Sequence, residues 1–221
     1  MIHHVFGNEI ANEIGYLKYK IEDYGKKAGY HPRFPPSLDS SIRIDGRRSF
    51  LDSELEEAIL SDKAASSNVA DLSAEWQRHA AGIHADFFGR VRPPVPLRIN
   101  VHITRYGTGG SYHPRGSSPL RVDGNSITIM DPIVSRQSLN LAQVIVHETV
   151  ELIIHGKVLS QKIPHEVKEA SVDQLCSCDQ LLKIYGPYQK QASYAPYLPN
   201  EEEWKNYIRW KEGQVPTWHS L

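Results

Sequence analysis

The stretch VIVHETVELIIH, residues 144–155, sets a histidine and two glutamates inside an otherwise apolar run. On an α-helix, residues four apart point the same way about one turn apart. His147 and Glu151 can therefore bring an imidazole nitrogen and a carboxylate oxygen to one ion. Glu148 projects about 100° further round, beside such an ion, where a carboxylate can take a proton from an activated water. Ionisable groups in so apolar a helix are costly unless paired or coordinated. Further on, Glu169 and Asp173 are again four apart and share a face. Glu169 would be a third ligand, leaving a position open for water. Asp173 would accept a hydrogen bond from the free ring N–H of His147 and fix its tautomer. The plainer alternative is a core histidine beside a solvated acidic face, with Glu166 and Lys168 as its neighbours.

Two helices must position these groups. Asn140 is a good N-cap with Gln143 at its third position, and LAQVIVHETVELIIH is apolar nearly all round, as befits a buried helix ending at Gly156. A second helix is expected from about Pro164 to Tyr185, stopped by Gly186-Pro187. Upstream, Leu72, Trp76, Ala80, Ile83 and Phe87 mark an amphipathic helix ending near Gly89. LRINVHITRY, from Leu97, alternates as a half-buried strand. The glycine-rich segment GTGGSYHPRGSS then reads as a loop, and PLRV, an Asp123-Gly124 turn and SITIM as a hairpin.

The N-terminal third is expected to be helical. Ile10, Ile14, Leu17, Ile21 and Tyr24 form one stripe from Glu9 to about Lys26, with Gly25 and Gly29 as stops. The prolines of residues 30–41 suggest an irregular connection. Ser53 and Glu56 form a capping-box pattern before a short helix. The polar stretch Ser61 to Ala70 is the candidate linker, dividing a helical extension, 1–69, from a core with a C-terminal helical tail, 70–221. A capped tail helix is expected from Asn200.

His147-Glu148 and Glu169-Ala170-Ser171-Val172-Asp173 resemble the zincin metallopeptidases, specifically the glutamate-zincin, thermolysin-like branch. That branch has a His-Glu-x-x-His helix followed by Glu-x-x-x-Asp on a downstream helix. The order of elements from about Asp71 to Gly186, roughly half of the chain, is similar as well. The resemblance implies an α+β fold: a backing helix, a small mostly antiparallel sheet, an active-site helix and a glutamate helix. It implies a peptide or protein substrate cut by a metal-activated water, with His147, Glu151 and Glu169 as metal ligands, Glu148 as base, Asp173 orienting His147 and the hairpin strand Ser126 to Met130 as an edge for an extended substrate. Glu151 departs from the family pattern, standing where it has a second histidine. One histidine and two carboxylates cancel the charge of a divalent ion and admit manganese or iron beside zinc. A hydrolase and a catalytically inactive binding protein on the same core are both expected outcomes of that exchange.

The remaining signals are weaker. His155 is eight residues from His147, about 12 Å of helix rise, and suits the helix C-terminus instead. His165 is a spare ligand or substrate contact. Tyr112 and His113 are candidates to stabilise an oxyanion, Cys176 shares the face of Glu169, and tyrosines 185, 188, 194 and 197 suggest a groove or packing. A net charge of -1 argues against a nucleic-acid surface. No apolar run is long enough for a membrane span, and no signal peptide is evident at the start. Two cysteines, at 176 and 178, make no disulfide framework and suggest a cytoplasmic setting.

Overall fold

The computed structural model describes residues 2–24, 26, 32–45, 48–64, 66–89, 97–135, 140–160 and 165–189. The tail helix expected from Asn200, tyrosines 194 and 197, and the stops at Gly25 and Gly29 lie outside them. The described chain is mixed α and β. Its elements are β1 (Ile2–Gly7), α1 (Ile10–Tyr24), α2 (Pro36–Ile44), α3 (Asp52–Ser61), α4 (Val69–Ile83) with a π-helical turn over His84–Phe88, β2 (Leu97–Thr104), β3 (Gly110–His113), β4 (Asn125–Met130), α5 (Pro132–Ser135), α6 (Leu141–Ser160), α7 (His165–Cys176) and α8 (Asp179–Tyr185). No helix among the described residues is long and apolar enough to cross a membrane.

The chain divides into two compact units. One joins His4–Ser73 to Ile99–Leu139, which holds β3, β4 and most of β2. The other comprises Met1–His3, Ala74–Arg98 and the chain from Asn140.

In the first unit the stripe on α1 is buried as its spacing requires: Ile14, Leu17 and Ile21 enter a core with Phe34, Ile42 and Leu55. Gly15, within the same helix, is explained by close approach, since a Cβ there would come 2.3 Å from the Pro119 carbonyl oxygen. The prolines expected to keep residues 30–41 irregular instead start α2, with Pro35 at its N-cap and Pro36 in its first turn, where a missing N–H costs nothing. The cap of α3 also falls two residues earlier than expected: the Leu51 N–H donates to Glu54 Oε2 at 2.8 Å. Between α3 and α4, Ser67 donates from its N–H and its hydroxyl to the Asp131 carboxylate, at 2.6 and 2.7 Å. The expected linker is thus tied to the end of β4.

The sheet order is β1-β2-β4-β3, and the sheet is mixed. β2 runs parallel to β4, with Val101 opposite Ile127, while β3 is antiparallel to β4, with Tyr112 opposite Ile127. The hairpin partner of β4 is Gly110–His113, taken from the sequence as loop. The PLRV segment forms no strand because its backbone is engaged elsewhere: the Leu120 N–H donates to Ser118 Oγ and the Arg121 N–H to Asn12 Oδ1 of α1. β4 is consequently an interior strand, buried from Ser126 to Met130, and offers no edge for a peptide.

Two buried polar arrangements hold this unit. Glu13 of α1 accepts from His102 Nε2 at 2.8 Å, Thr104 Oγ1 at 3.0 Å and the Arg105 N–H at 2.9 Å. One carboxylate thereby clamps α1 to β2. His113 lies edge-on to Tyr16 and Tyr19, and burial, reinforced by the charges of Lys20 and His102, pulls its pKa down to about 3.

Glu13→Ala should cost about 3 kcal/mol in urea unfolding, since it strands several buried donors, and Glu13→Gln should cost less. The His113 shift has a definite sign. The folded ring resists the proton that the unfolded ring takes near pH 6.5, so stability is present at neutral pH and falls with acidification toward pH 3. Unfolding midpoints between pH 6.5 and 4.5 should show His113→Phe losing less stability than the parent, by about 1.4 kcal/mol per pH unit.

Candidate metal centre

α6 begins as its sequence dictates. Asn140 Oδ1 accepts from the N–H groups of Ala142 at 3.0 Å and Gln143 at 3.4 Å. Gln143 does not close a capping box; its side chain donates to the Pro187 carbonyl instead. The helix continues through Gly156 to Ser160, since glycine in a helix is tolerated at a cost of about 1 kcal/mol. Its apolar residues Leu141, Ile145, Val146 and Val150 are buried. α7 packs against α6. The second helix expected as one piece breaks at Ser177-Cys178, where Cys178 becomes the N-cap of α8. α8 ends at Gly186, whose φ of 80° suits glycine.

This pairing of α6 and α7 brings the predicted residues together. His147 Nε2 lies 3.4 Å from Glu169 Oε2 and 3.8 Å from Glu151 Oε1. One ligand atom from each of the three residues lies within 4.8 Å of the other two. Any three such atoms share a point no more than about 2.8 Å from each, and contacts to zinc are about 2.0–2.2 Å. The residues fit a divalent ion after a small contraction. Glu148, 4% exposed, is on the same helix immediately after His147, which is 2% exposed.

Asp173 serves His147 by a route the sequence did not suggest. The ring Nδ1 is 3.9 Å from Asp173 Oδ1, and the Tyr188 hydroxyl stands between them. It donates to Asp173 Oδ1 at 2.9 Å and meets His147 Nδ1 at 2.7 Å. Burial, and then the neighbouring Cys176 and Asp173, hold the phenol above its usual range, so it keeps its proton. With that proton given to Asp173, the Tyr188 oxygen accepts from Nδ1–H. Nε2 is thereby left to face the two glutamates.

A cation is already present among the acids. Lys168 Nζ lies 2.5 Å from Glu151 Oε1 and 2.8 Å from Glu169 Oε1. Burial opposes its charge, but both glutamates outweigh burial and raise its pKa. Burial likewise opposes ionisation of Glu169, yet His147 and Lys168 hold it down to about 2. Glu151 goes the other way, pushed up by burial and by the charges of Glu148 and Glu169. His147 is pushed down by burial, but hydrogen bonds to Cys176 and Glu169 and the charge of Glu148 raise it well above the ordinary range. Three carboxylates thus crowd one imidazole and one ammonium.

The other candidates divide. His165 Nδ1 is 3.4 Å from Glu169 Oε1, on a largely exposed side chain. Cys176 is buried beside His147, and the Tyr185 hydroxyl bonds its carbonyl. α6 is unbroken through His155, so no turn carries that ring back toward His147. Tyr112 and His113 belong to β3, in the other unit. Lys168 and Tyr188 are the residues that sequence reasoning missed in these roles. The chain matches no protein-family model, no curated protein and no solved structure.

Tyr188→Phe should lower stability by about 1–3 kcal/mol, the cost of unbridging buried polar groups, and shift the ring-nitrogen NMR resonances of His147. Asp173→Asn keeps an acceptor for the tyrosine and should cost less. Unchanged His147 resonances in Tyr188→Phe would contradict the bridge.

Proposed function

We propose that this chain is a metal-dependent hydrolase of peptide bonds with a zincin-like core. The observation that carries the reading is the convergence of His147, Glu151 and Glu169, with Glu148 beside them on one buried helix. The chain order supports it as well: a long helix α4, strands β2 to β4, then α6 with His-Glu and α7 with Glu-x-x-x-Asp. His147, Glu151 and Glu169 would hold the ion, zinc first by the resemblance to zincins, manganese or iron by the oxygen-rich set. A divalent ion bound there would polarise the scissile carbonyl and acidify water. Glu148 accepts the proton from the attacking water and returns it to the leaving amine. Tyr188 and Asp173 keep Nδ1 protonated, so that Nε2 is the nitrogen that would give up its proton to an ion.

One observation favours the second reading, a zincin-like binding protein without activity: Lys168 already answers the charge of Glu151 and Glu169. Metal uptake separates the two. After dialysis against zinc or manganese, the protein should carry about one ion and cleave an unstructured protein substrate. Glu148→Gln should keep the ion and lose cleavage by about a hundredfold or more, and Glu151→Gln should lower occupancy. Absence of uptake at every concentration tested would leave the inactive reading.

A further inference from the structure

Lys168 stands on the carboxylates that a divalent ion would need. Its ammonium is ion-paired with Glu151 Oε1, the same atom that faces His147 Nε2, and with the second oxygen of Glu169. It is 7% exposed. Its position does two things. It supplies positive charge to acids that would otherwise repel one another where little water reaches them. It also sets a like charge within a few ångströms of any ion bound by the same oxygens, where repulsion is poorly screened.

Resting on the reading of this site as a divalent-metal centre, we infer that Lys168 is its resident cation and sets its metal affinity: an ion enters only as the ammonium leaves Glu151 and Glu169. The lysine keeps the ligands assembled before metal arrives, and the same contacts are what metal must break. This role is separate from the choice of ligands. A site with these three ligands and no lysine would bind the same ions more tightly, and its ligands would be less stable together without one.

Two measurements on the full chain test this. By calorimetric titration with zinc and with manganese, Lys168→Met should bind at least about tenfold more tightly than the parent, the scale on which neighbours of metal ligands act. Lys168→Arg, which keeps the charge, should bind no more tightly than the parent. Metal-free Lys168→Met should melt earlier than the parent and recover on adding metal. Because that variant leaves buried acids exposed to one another and can fail to fold, the parent protein supplies the second measurement. Lysine acetylation followed by mass spectrometry should find Lys168 protected without metal and severalfold more reactive once zinc is bound. Equal affinities in the parent and Lys168→Met, or a Lys168 that stays protected in zinc-loaded protein, overturns the inference and leaves the metal reading standing. If neither protein takes up metal, both fall together.

Discussion

A carboxylate taken out of water must be given positive charge or hydrogen bonds in exchange, and α6 takes out two within one turn. The surroundings of Glu148 and Glu151 follow from that requirement. α7 brings an ammonium to Glu151 and a further carboxylate to His147, and the segment after α8 brings a phenol that fixes the histidine. The helix can be apolar on its remaining faces because His147 and Glu151 meet polar and charged groups from the same unit. Packing and electrostatics are therefore not separate demands on α6: the contact with α7 that buries its side chains is also the one that neutralises them.

The other unit meets the same demand differently. Glu13 is as thoroughly buried as Glu151, but it receives three donors from one strand and its continuation. That arrangement sets side-chain and backbone donors around one carboxylate, and it fixes a helix to a sheet. Around His147 the acids outnumber the bases. One cluster holds a fold together, and the other keeps a capacity for positive charge.

The parts of the site legible in the sequence are those set by helical geometry alone. His147 with Glu151, and Glu169 with Asp173, share faces because four residues make about one turn, and no tertiary knowledge was needed. Lys168 was not legible, because a lysine beside a glutamate on a helix ordinarily points to solvent, and only the docking of α7 turns it inward. Tyr188 was not legible either: it follows a helix break at Ser177 that no proline or glycine announces. In the sheet, alternation in LRINVHIT identified a strand but carries no information on partner or direction, so the parallel pairing of β2 with β4 stayed hidden. Pro35 and Pro36 suggested a loop because the residues alone do not say whether proline stands inside a helix or at its first turn.

Lys168 and Glu169 are consecutive, of opposite sign, and both reach the same group on α6. Each residue along a helix advances it by about 100°, so the sign of the charge that α7 presents depends on its rotational phase. Adding one residue within α7 ahead of Lys168 would alter no ligand, yet it would turn both residues relative to the turn before them and change the balance of acid and base at His147. The chemistry of the site is in this sense written in the phase of a helix as much as in the identity of its side chains.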